Sequence, residues 1–383
     1  MAVSRAERLR NAVVADINDD FKDKDIDIRL DETMAKYFRE WDIDGRLDVG
    51  LGLIMTPYLP LENYVENLAI GFNNNEVRIE NIELEAGESK IDGSGKISGL
   101  RRALGGRQGN TAQINVGLDL HSERINANEL MTAYSAGANF NPASLEGADK
   151  ISDEDFFEQI ISDTTVTSTE TALLVVPSNI IADVRLNASD ITWSDVTIDT
   201  VMAKLTAKDR CVQITDTKAQ TNIGGLSLDG FYATRSKKDI KAGFDFRFMD
   251  ITAEKVIDLM PAIDSMIPML KSFHGMLNCE VAATAQLDTA MNILTPSING
   301  VLRIGGRDLP VDGSDKTFQS VAKMLKFKDL SEGRVDAMTV EGVIKDNTLE
   351  VFPFVMQVDR YTMAMSGVQN LDMSFKYHVS MIK

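Results

Sequence analysis

The strongest constraint in this sequence is an alternation of apolar and polar residues with a period of two. From Ile114 to Leu120 every second residue is aliphatic, and from Ala242 to Phe248 every second residue is apolar. Successive side chains of a β-strand point to opposite faces of its sheet, so each such strand has one apolar and one wet face. The pattern therefore predicts a mainly β (α+β) fold built on an amphipathic antiparallel sheet.

Turn signals and short helical stretches separate the strands. Clusters of Asn, Asp and Gly predict hairpin turns at Asn73–Asn75, Asn222–Gly225 and Lys345–Asn347. Helical spacing is confined to short segments, which lie at residues 32–41, 153–161, 253–273 and 317–327. We therefore expect a few short helices packed on the sheet.

An internal repeat extends this pattern along the chain. The segments 77–100, 212–232 and 349–371 each contain a strand, a turn and a second strand with an apolar-polar-Gly triplet. The triplets end at Gly93, Gly230 and Gly367, which are evenly spaced. A single hairpin cannot bury its apolar face, so repeated hairpins are expected to stack side by side. The repeat predicts a long curved sheet that forms a groove.

The repeat also predicts how the chain is organised. Residues 1–138 form a first β-groove repeat, and residues 139–171, rich in Ser, Asp, Glu and Thr, form a mobile acidic connection. Residues 172–275 form a second repeat with a capping helix, and residues 276–383 form a C-terminal repeat. We expect these parts to make one continuous body.

The charge balance excludes several classes of partner. The chain has 58 Asp and Glu against 40 Lys and Arg, which gives a net charge of −18. Nucleic acids and anionic headgroups are bound by clustered cations, so this balance argues against both. No stretch approaches the run of about 18 apolar residues that spans a bilayer, so we expect the chain as given to be soluble.

Signatures of catalysis and of metal binding are nearly absent. His121, His274 and His378 are isolated, and an acidic calcium-loop pattern from Asp16 to Asp27 has a phenylalanine at the position of its glycine. Cys211 and Cys279 are interpreted as small core residues rather than as a pair. We expect no catalytic residue, no metal and no cofactor. A hydrolase that uses paired carboxylates on strands is the enzymatic alternative, although no pair is recognisable.

Methionine is unusually frequent, with 18 residues. Its flexible side chain suits either irregular core filling, which we favour, or a surface that accepts variable apolar ligands. The candidate residues that line the groove are the apolar members of the alternating strands. They are Ile114, Val116, Leu118, Leu120, Phe244, Phe246, Phe248, Met363 and Met365.

The order of elements in the second half of the chain, residues 205–383, carries a resemblance. A strand at Ser297–Ile304 precedes a predicted helix at 318–325, a strand and turn at 340–347, a Pro-Phe strand at 351–354, and strands at 363–367 and 371–377. In this order the chain resembles the AsmA-like family of Gram-negative envelope proteins, and the first half is similar in a looser way.

The resemblance implies a taco-shaped β-sheet with an apolar interior, in a periplasmic protein that one N-terminal helix anchors in the inner membrane. We expect such a helix in the full-length protein and not in this chain as given. The implied function is to shield the acyl chains of phospholipids or other lipids, for lipid transport or outer-membrane assembly. The alternative is a structural or interaction module of the envelope. Its groove would be plugged by its own helices, it would carry no lipid, and its envelope protein partners would bind the acidic outer face.

Overall fold

The computed structural model describes residues 20–21, 24–56, 59–106, 112–138, 173–193, 196–222, 224–255, 274–311, 319, 323, 333–358, 361–370 and 374–382. The described part of the chain is mostly β, with 71% of its residues in strands, and these strands form one open, curved sheet. The predicted fold class is therefore confirmed. The strands of the first half are β1 (Asp44–Thr56), β2 (Leu59–Asn73), β3 (Glu76–Ala86), β4 (Ser89–Ser98), β5 (Ile114–Asn126), β6 (Ile180–Trp193), β7 (Val196–Lys208) and β8 (Cys211–Thr221).

The second half contributes the remaining strands of the same sheet, in which the order of strands follows the chain from β1 to β16. These strands are β9 (Gly224–Ser236), β10 (Asp239–Thr252), β11 (Met276–Leu287), β12 (Asn299–Val311), β13 (Gly333–Lys345), β14 (Thr348–Val358), β15 (Tyr361–Asn370) and β16 (Phe375–Ile382). Each of the three predicted repeats contains described strands, and all of these strands belong to the same sheet.

One pairing departs from the predicted antiparallel sheet. β5 and β6 are parallel, whereas every other neighbouring pair of described strands is antiparallel. Parallel neighbours need a long crossover, because the chain must return to the same end of the sheet. Here β5 leads directly into a helix, Ala127–Ala138, and β6 begins only at Ile180. The sheet is therefore mixed.

The described helices are short. They are α1 (Glu32–Glu40), α2 (Leu100–Leu104) and α3 (Ala127–Ala138), with a 3-10 turn at Thr295–Ser297. α1 confirms the predicted helix at 32–41, and the carboxylate of Asp31 caps it by accepting hydrogen bonds from the N–H groups of Thr33 and Met34. α2 was not predicted.

Other predicted helices lie partly or wholly outside the described residues. The segment 253–273 is helical from Ala253 to Lys255 and is not described beyond that point. From 317–327 only Gln319 and Lys323 are described, and both are helical. The helix at 153–161 and the connection at 139–171 lie outside the described residues.

Local hydrogen bonds and backbone angles explain two of the predicted hairpin turns. Asn73 Oδ1 accepts hydrogen bonds from the N–H groups of Asn75 at 2.8 Å and Glu76 at 3.0 Å, which closes the β2–β3 turn. In the β13–β14 turn Asp346 and Asn347 have φ values of 52° and 60°. Two consecutive positive φ values match the twist of the flanking strands, and Asn and Asp tolerate them.

The repeated triplets all lie in hairpins, but only two of them take the same place beside a bulge. Gly230 pairs with Ile214 and Gly367 pairs with Val351, each just before a register shift, whereas Gly95 takes that place in the first hairpin and Gly93 pairs after the shift. Gly93, Gly230 and Gly367 lie on the second strands of the hairpins β3–β4, β8–β9 and β14–β15. A Cβ atom at Gly367 would clash with Cδ1 of Tyr377 on the next strand. This glycine therefore leaves room for a large neighbouring side chain on the apolar face.

Left-handed Asn and Asp residues interrupt several strands. Asp250 in β10 has a φ of 56°, and the register shifts between Phe248 and Ile251. The resulting bulge lets Phe248 and Ile251 share one face, although a regular strand would separate them. Similar residues with positive φ within strands are Asn67, Asp190, Asp216 and Asp308.

The largest buried cluster lies at the C-terminal end of the sheet. It is formed mainly by β10 to β15, and its members include Cys279, Ile304 and Leu349. Cys279 is a core residue as predicted, whereas Cys211 is only partly buried, and both are free thiols. The methionines divide in the same way, because Met356 and Met363 are core residues but Met202 and Met276 are exposed.

Candidate functional site

One continuous row of side chains without a charge crosses the sheet. Residues that pair directly across neighbouring strands point to the same face. Starting from Phe244, this pairing can be followed from β1 to β15 without interruption. The row consists of Leu47, Ile70, Ile79, Gly95, Leu118, Val184, Leu205, Ile214, Gly230, Phe244, Ala283, Gly300, Ile344, Leu349 and Gln369.

Two parallel rows widen this apolar face. The row through Val116 runs from Gly45 in β1 to Ala285 in β11. The row through Phe248 runs from Gly52 in β1 to Val340 in β13. Both rows also contain no charged residue. We call the side of the sheet to which the residues of these three rows point the apolar face.

All nine residues predicted to line a groove lie on the apolar face, but they differ in burial. Val116, Leu118, Leu120, Phe244 and Phe246 are partly exposed. The other four pack inside the protein and are at most 6% exposed; they are Ile114, Phe248, Met363 and Met365. Only the first group is accessible to a ligand, whereas the second group stabilises the fold.

This difference follows a gradient along the sheet. From β3 to β10 most aliphatic residues of the apolar face are partly exposed, as Ile79, Val184 and Ile214 show. From β11 to β15 the same face is buried in the C-terminal cluster, where Ile304 is 2% and Leu349 is 0% exposed. The face therefore has an open stretch, β3 to β10, and a packed end, β11 to β15.

The sequence analysis missed the part of the open stretch that β6, β7 and β8 provide. Val184, Leu205 and Ile214 lie in the central row beside Leu118. Their strands show the same period of two, for example in Ala182, Val184 and Leu186, which alternate with polar residues. The signal was therefore present, but small residues such as Ala make it weaker than in β5 or β10.

The polar groups that do reach the apolar face are neutral. Tyr232 lies in the Val116 row, and its hydroxyl donates a hydrogen bond to the carbonyl of Leu174 at 2.7 Å. Burial raises the pKa of Tyr232 to about 12. Burial likewise raises the pKa of the Cys279 thiol in the Phe248 row to about 12. The face is thus uncharged at neutral pH along these rows.

The opposite face carries the charges in paired form. Arg185 Nη1 in β6 lies 3.0 Å from Asp119 Oδ1 in β5, and Lys204 Nζ in β7 lies 3.1 Å from Asp183 Oδ2. Residues of alternating charge also pair directly from β10 to β13. They are Arg247, Glu280, Arg303 and Glu341. Ion pairs therefore connect neighbouring strands across the acidic outer face, and most of these pairs are exposed.

No arrangement typical of catalysis occurs among these charged residues. Asp229 and Asp245 lie directly opposite each other on β9 and β10. However, Asp229 accepts a hydrogen bond from the N–H of Asp216, and Asp245 pairs with Arg247 at 3.0 Å. Within the described ranges no group of three or more His, Cys, Asp and Glu side chains is placed to hold a metal ion.

Comparisons with protein-family models, with curated proteins and with solved structures found no match for this chain. The resemblance to the AsmA-like family therefore rests on the order of sequence elements alone. In the part of the chain that the structure describes, no helix is both long and apolar enough to cross a bilayer.

Proposed function

We propose that the open stretch of the apolar face shields the acyl chains of lipids, as the periplasmic part of an AsmA-like envelope protein would do in lipid transport or outer-membrane assembly. The observation that carries the proposal is the uncharged row that continues from β1 to β15 and stays partly exposed between β3 and β10. A water-soluble enzyme with a closed core would not need such a surface.

The dimensions of the open stretch suit an acyl chain. Neighbouring strands are about 4.8 Å apart, so the stretch from β3 to β10 is on the order of 34 Å long. One acyl chain accounts for about half of the roughly 30 Å hydrocarbon thickness of a bilayer. Moving a chain of about 16 carbons into water costs roughly 12 kcal/mol at about 0.8 kcal/mol per methylene, and an apolar surface offsets most of this cost.

The rows also bear on selectivity. A phosphate headgroup is usually bound by Arg, Lys or the N-terminus of a helix, and none of the residues in the three rows is charged. The basic residues Arg185 and Lys204 point to the opposite face and are paired with acids. The proposed site therefore recognises the acyl chain and not the headgroup.

The alternative is a structural or interaction module without lipid, and the packed end of the sheet favours it. There the apolar face is already buried by the protein, and Leu349 and Met363 are 0% exposed. If the whole apolar face were buried by the protein, no surface would remain for a lipid to bind. The partial exposure of Leu118, Val184 and Leu205 is the reason to prefer the lipid-binding function.

Native mass spectrometry can decide between the two functions. Delipidated protein is incubated with an equimolar mixture of neutral and anionic phospholipids at micromolar concentration. We expect at least one phospholipid to remain bound, with neutral and anionic species within about a hundredfold of each other in affinity, or roughly 2.7 kcal/mol. Absence of any bound lipid would replace this proposal by the structural module, and a larger preference would refute recognition by the acyl chain alone.

A further inference from the structure

β1 is an edge strand of the sheet. It stands first in the order of strands and, within the described ranges, pairs with β2 alone. The backbone N–H and C=O groups along the other side of an edge strand can pair with another strand. We call this outward side of residues 44–54 the β1 edge.

Apolar side chains flank the β1 edge on both faces of the sheet. Leu47 belongs to the central row of the apolar face. Leu51 and Leu53 lie on the outer face, because the row through Leu51 continues with Glu66 in β2 and Glu83 in β3. Leu51 is 68% and Leu53 is 49% exposed. A strand that is apolar on both faces is typical of the interior of a sheet, so β1 suits a position with a neighbour on each side.

The opposite edge of the sheet is protected in a way that β1 is not. β16 has only 8 residues, and its side chains include the exposed Lys376 and His378. Short edge strands and lysine side chains hinder pairing with another chain. β1 has 13 residues, contains neither lysine nor proline, and carries no charge from Val49 to Thr56. Of the two edges, β1 is therefore the one that favours a partner strand.

We propose that the β1 edge is a dimerisation surface, on which a second copy of this chain pairs antiparallel, β1 against β1. This surface goes beyond the proposed function, because β1 lies outside the open stretch from β3 to β10. Both copies contribute the same strand, so the interface closes around a two-fold axis. Pairing of β1 with β16 of another copy would instead leave an edge at each end and propagate into fibres.

The charges of β1 favour antiparallel pairing of the strand with itself. All three of them, Asp44, Arg46 and Asp48, lie in the first half of the strand. In an antiparallel pair this half lies opposite the uncharged second half of the other copy. In a parallel pair in register each charge would face an identical charge, which is destabilising. The strand thus complements itself in one orientation only.

The net charge of −18 opposes this dimer only weakly, because β1 lies at the end of the sheet. Neighbouring strands are about 4.8 Å apart, so the strands from β4 onwards lie roughly 14 Å or more from the β1 edge along the sheet. The screening length at physiological ionic strength is about 8 Å. Most charges of one copy are therefore screened from the other.

The backbone of the β1 edge favours a strand over a lipid bilayer. Exposed leucines alone would also suit a hydrocarbon phase, but the N–H and C=O groups of an open sheet edge find no hydrogen-bond partner there. A β-strand supplies both the hydrogen bonds and the apolar contacts. The self-complementary charges are the reason to assign this strand to a second copy and not to an unrelated protein.

Sedimentation velocity of the delipidated full chain tests the proposal, from low to high micromolar concentration at physiological ionic strength. We expect a reversible dimer. Leu51→Lys places a cation at the β1 edge and should weaken the dimer at least tenfold. Leu53→Lys repeats the change at a second position, so that misfolding of one variant does not decide the result.

The matched control is Met381→Lys, because Met381 is 47% exposed on the other edge strand, β16. Its dimer should be as stable as that of the parent. A parent that stays monomeric over the whole concentration range would overturn the proposal. Equal weakening of the dimer by the β1 and β16 variants would overturn it as well.

Cysteine crosslinking tests the orientation of the two strands. Gly50→Cys places a thiol near the middle of the pair, and a Cβ atom there meets nothing within 4 Å. Asp44→Cys is the control, since antiparallel pairing separates the two copies of this position by on the order of 40 Å at about 3.3 Å per residue. The parent serves as the blank for the native thiols of Cys211 and Cys279.

We expect disulfide-linked dimers from Gly50→Cys alone under mild oxidation. Equal crosslinking of Asp44→Cys would show a parallel or nonspecific contact. That result, or absence of crosslinking in Gly50→Cys, would overturn the antiparallel dimer.

Discussion

Arg210 and Asp25 form a buried ion pair in which Nη2 lies 3.1 Å from Oδ1 and each side chain is only 5% exposed. Arg210 also donates hydrogen bonds to the carbonyl groups of Phe21 at 3.0 Å and Val176 at 3.1 Å. Asp25 accepts hydrogen bonds from the backbone N–H and the hydroxyl of Ser178. These bonds hold two segments that lie outside the sheet against the turn between β7 and β8.

Breaking this pair is expected to destabilise the protein strongly. In Arg210→Met the carboxylate of Asp25 stays buried without its cation, which typically costs about 3–5 kcal/mol. The free energy of unfolding in urea measures the loss. The matched control is Arg185→Met, because Arg185 is 67% exposed and its ion pair with Asp119 is screened by water. If both variants lost the same free energy of unfolding, burial of the Arg210–Asp25 pair would not contribute to its effect on stability.

Charge on the apolar face is expected to abolish lipid binding. Leu205→Glu places a carboxylate in the central row of β7, where an ionised group must either lose its hydration or draw water onto the face. Met202→Glu is the matched control, since Met202 lies on the same strand, is 61% exposed and pairs with Asn187 on the outer face. Binding of a fluorescent phospholipid should fall at least tenfold in the first variant only.

A folding control accompanies this comparison. Circular dichroism shows whether Leu205→Glu keeps its β structure, so that lost binding is not mistaken for unfolding. If a folded Leu205→Glu protein binds lipid as the parent does, the ligand does not lie on the apolar face. Loss of binding in Met202→Glu as well would point to the outer face or to a general effect of charge.

Two of the repeated glycines, Gly93 and Gly367, are expected to tolerate no side chain. A Cβ atom at Gly93 would lie 2.6 Å from the carbonyl oxygen of Asp119 and 2.8 Å from Cδ2 of Leu120. Gly93→Ala should therefore lower stability by about 1–3 kcal/mol, the usual cost of overpacking. Gly117→Ala on the neighbouring strand is the control, because a Cβ atom there meets nothing within 4 Å. Thermal unfolding of both variants tests the difference.

Stability is expected to decrease at alkaline pH because of Tyr232. Burial raises the pKa of Tyr232 from 10.0 to about 12. The folded protein then keeps a proton that the unfolded chain has lost, so this contribution is complete below about pH 10 and disappears as pH rises through about 12. The free energy of unfolding of the parent should fall more steeply across this range than that of Tyr232→Phe.

Most of the local structure could be predicted from the sequence, because its causes are local. The alternation from Ile114 to Leu120 and from Ala242 to Phe248 requires strands with one apolar face, whatever their neighbours are. Turn residues such as Asn73 act on backbone groups two or three residues away. The hairpins that contain Gly93, Gly230 and Gly367 follow for the same reason, although Gly93 does not take the same place beside a bulge as the other two.

The apolar face was predictable only in part. The alternation assigned each candidate residue to an apolar face of its own strand, but it did not relate one strand to another. That Phe244 and Leu118 belong to one row depends on the register of every strand between them. Bulges such as the one at Asp250 alter that register without changing the overall composition of the strand.

Only the tertiary structure decided how the strands meet and where the apolar face stays open. The parallel pairing of β5 with β6 depends on the path of the chain between them, and the pairing of Arg210 with Asp25 joins residues 185 positions apart. Leu118 and Leu349 share one row, yet one is partly exposed and the other is fully buried. The sequence by itself determined that both are apolar, since this is a property of the residue, whereas burial depends on what the folded chain brings near it.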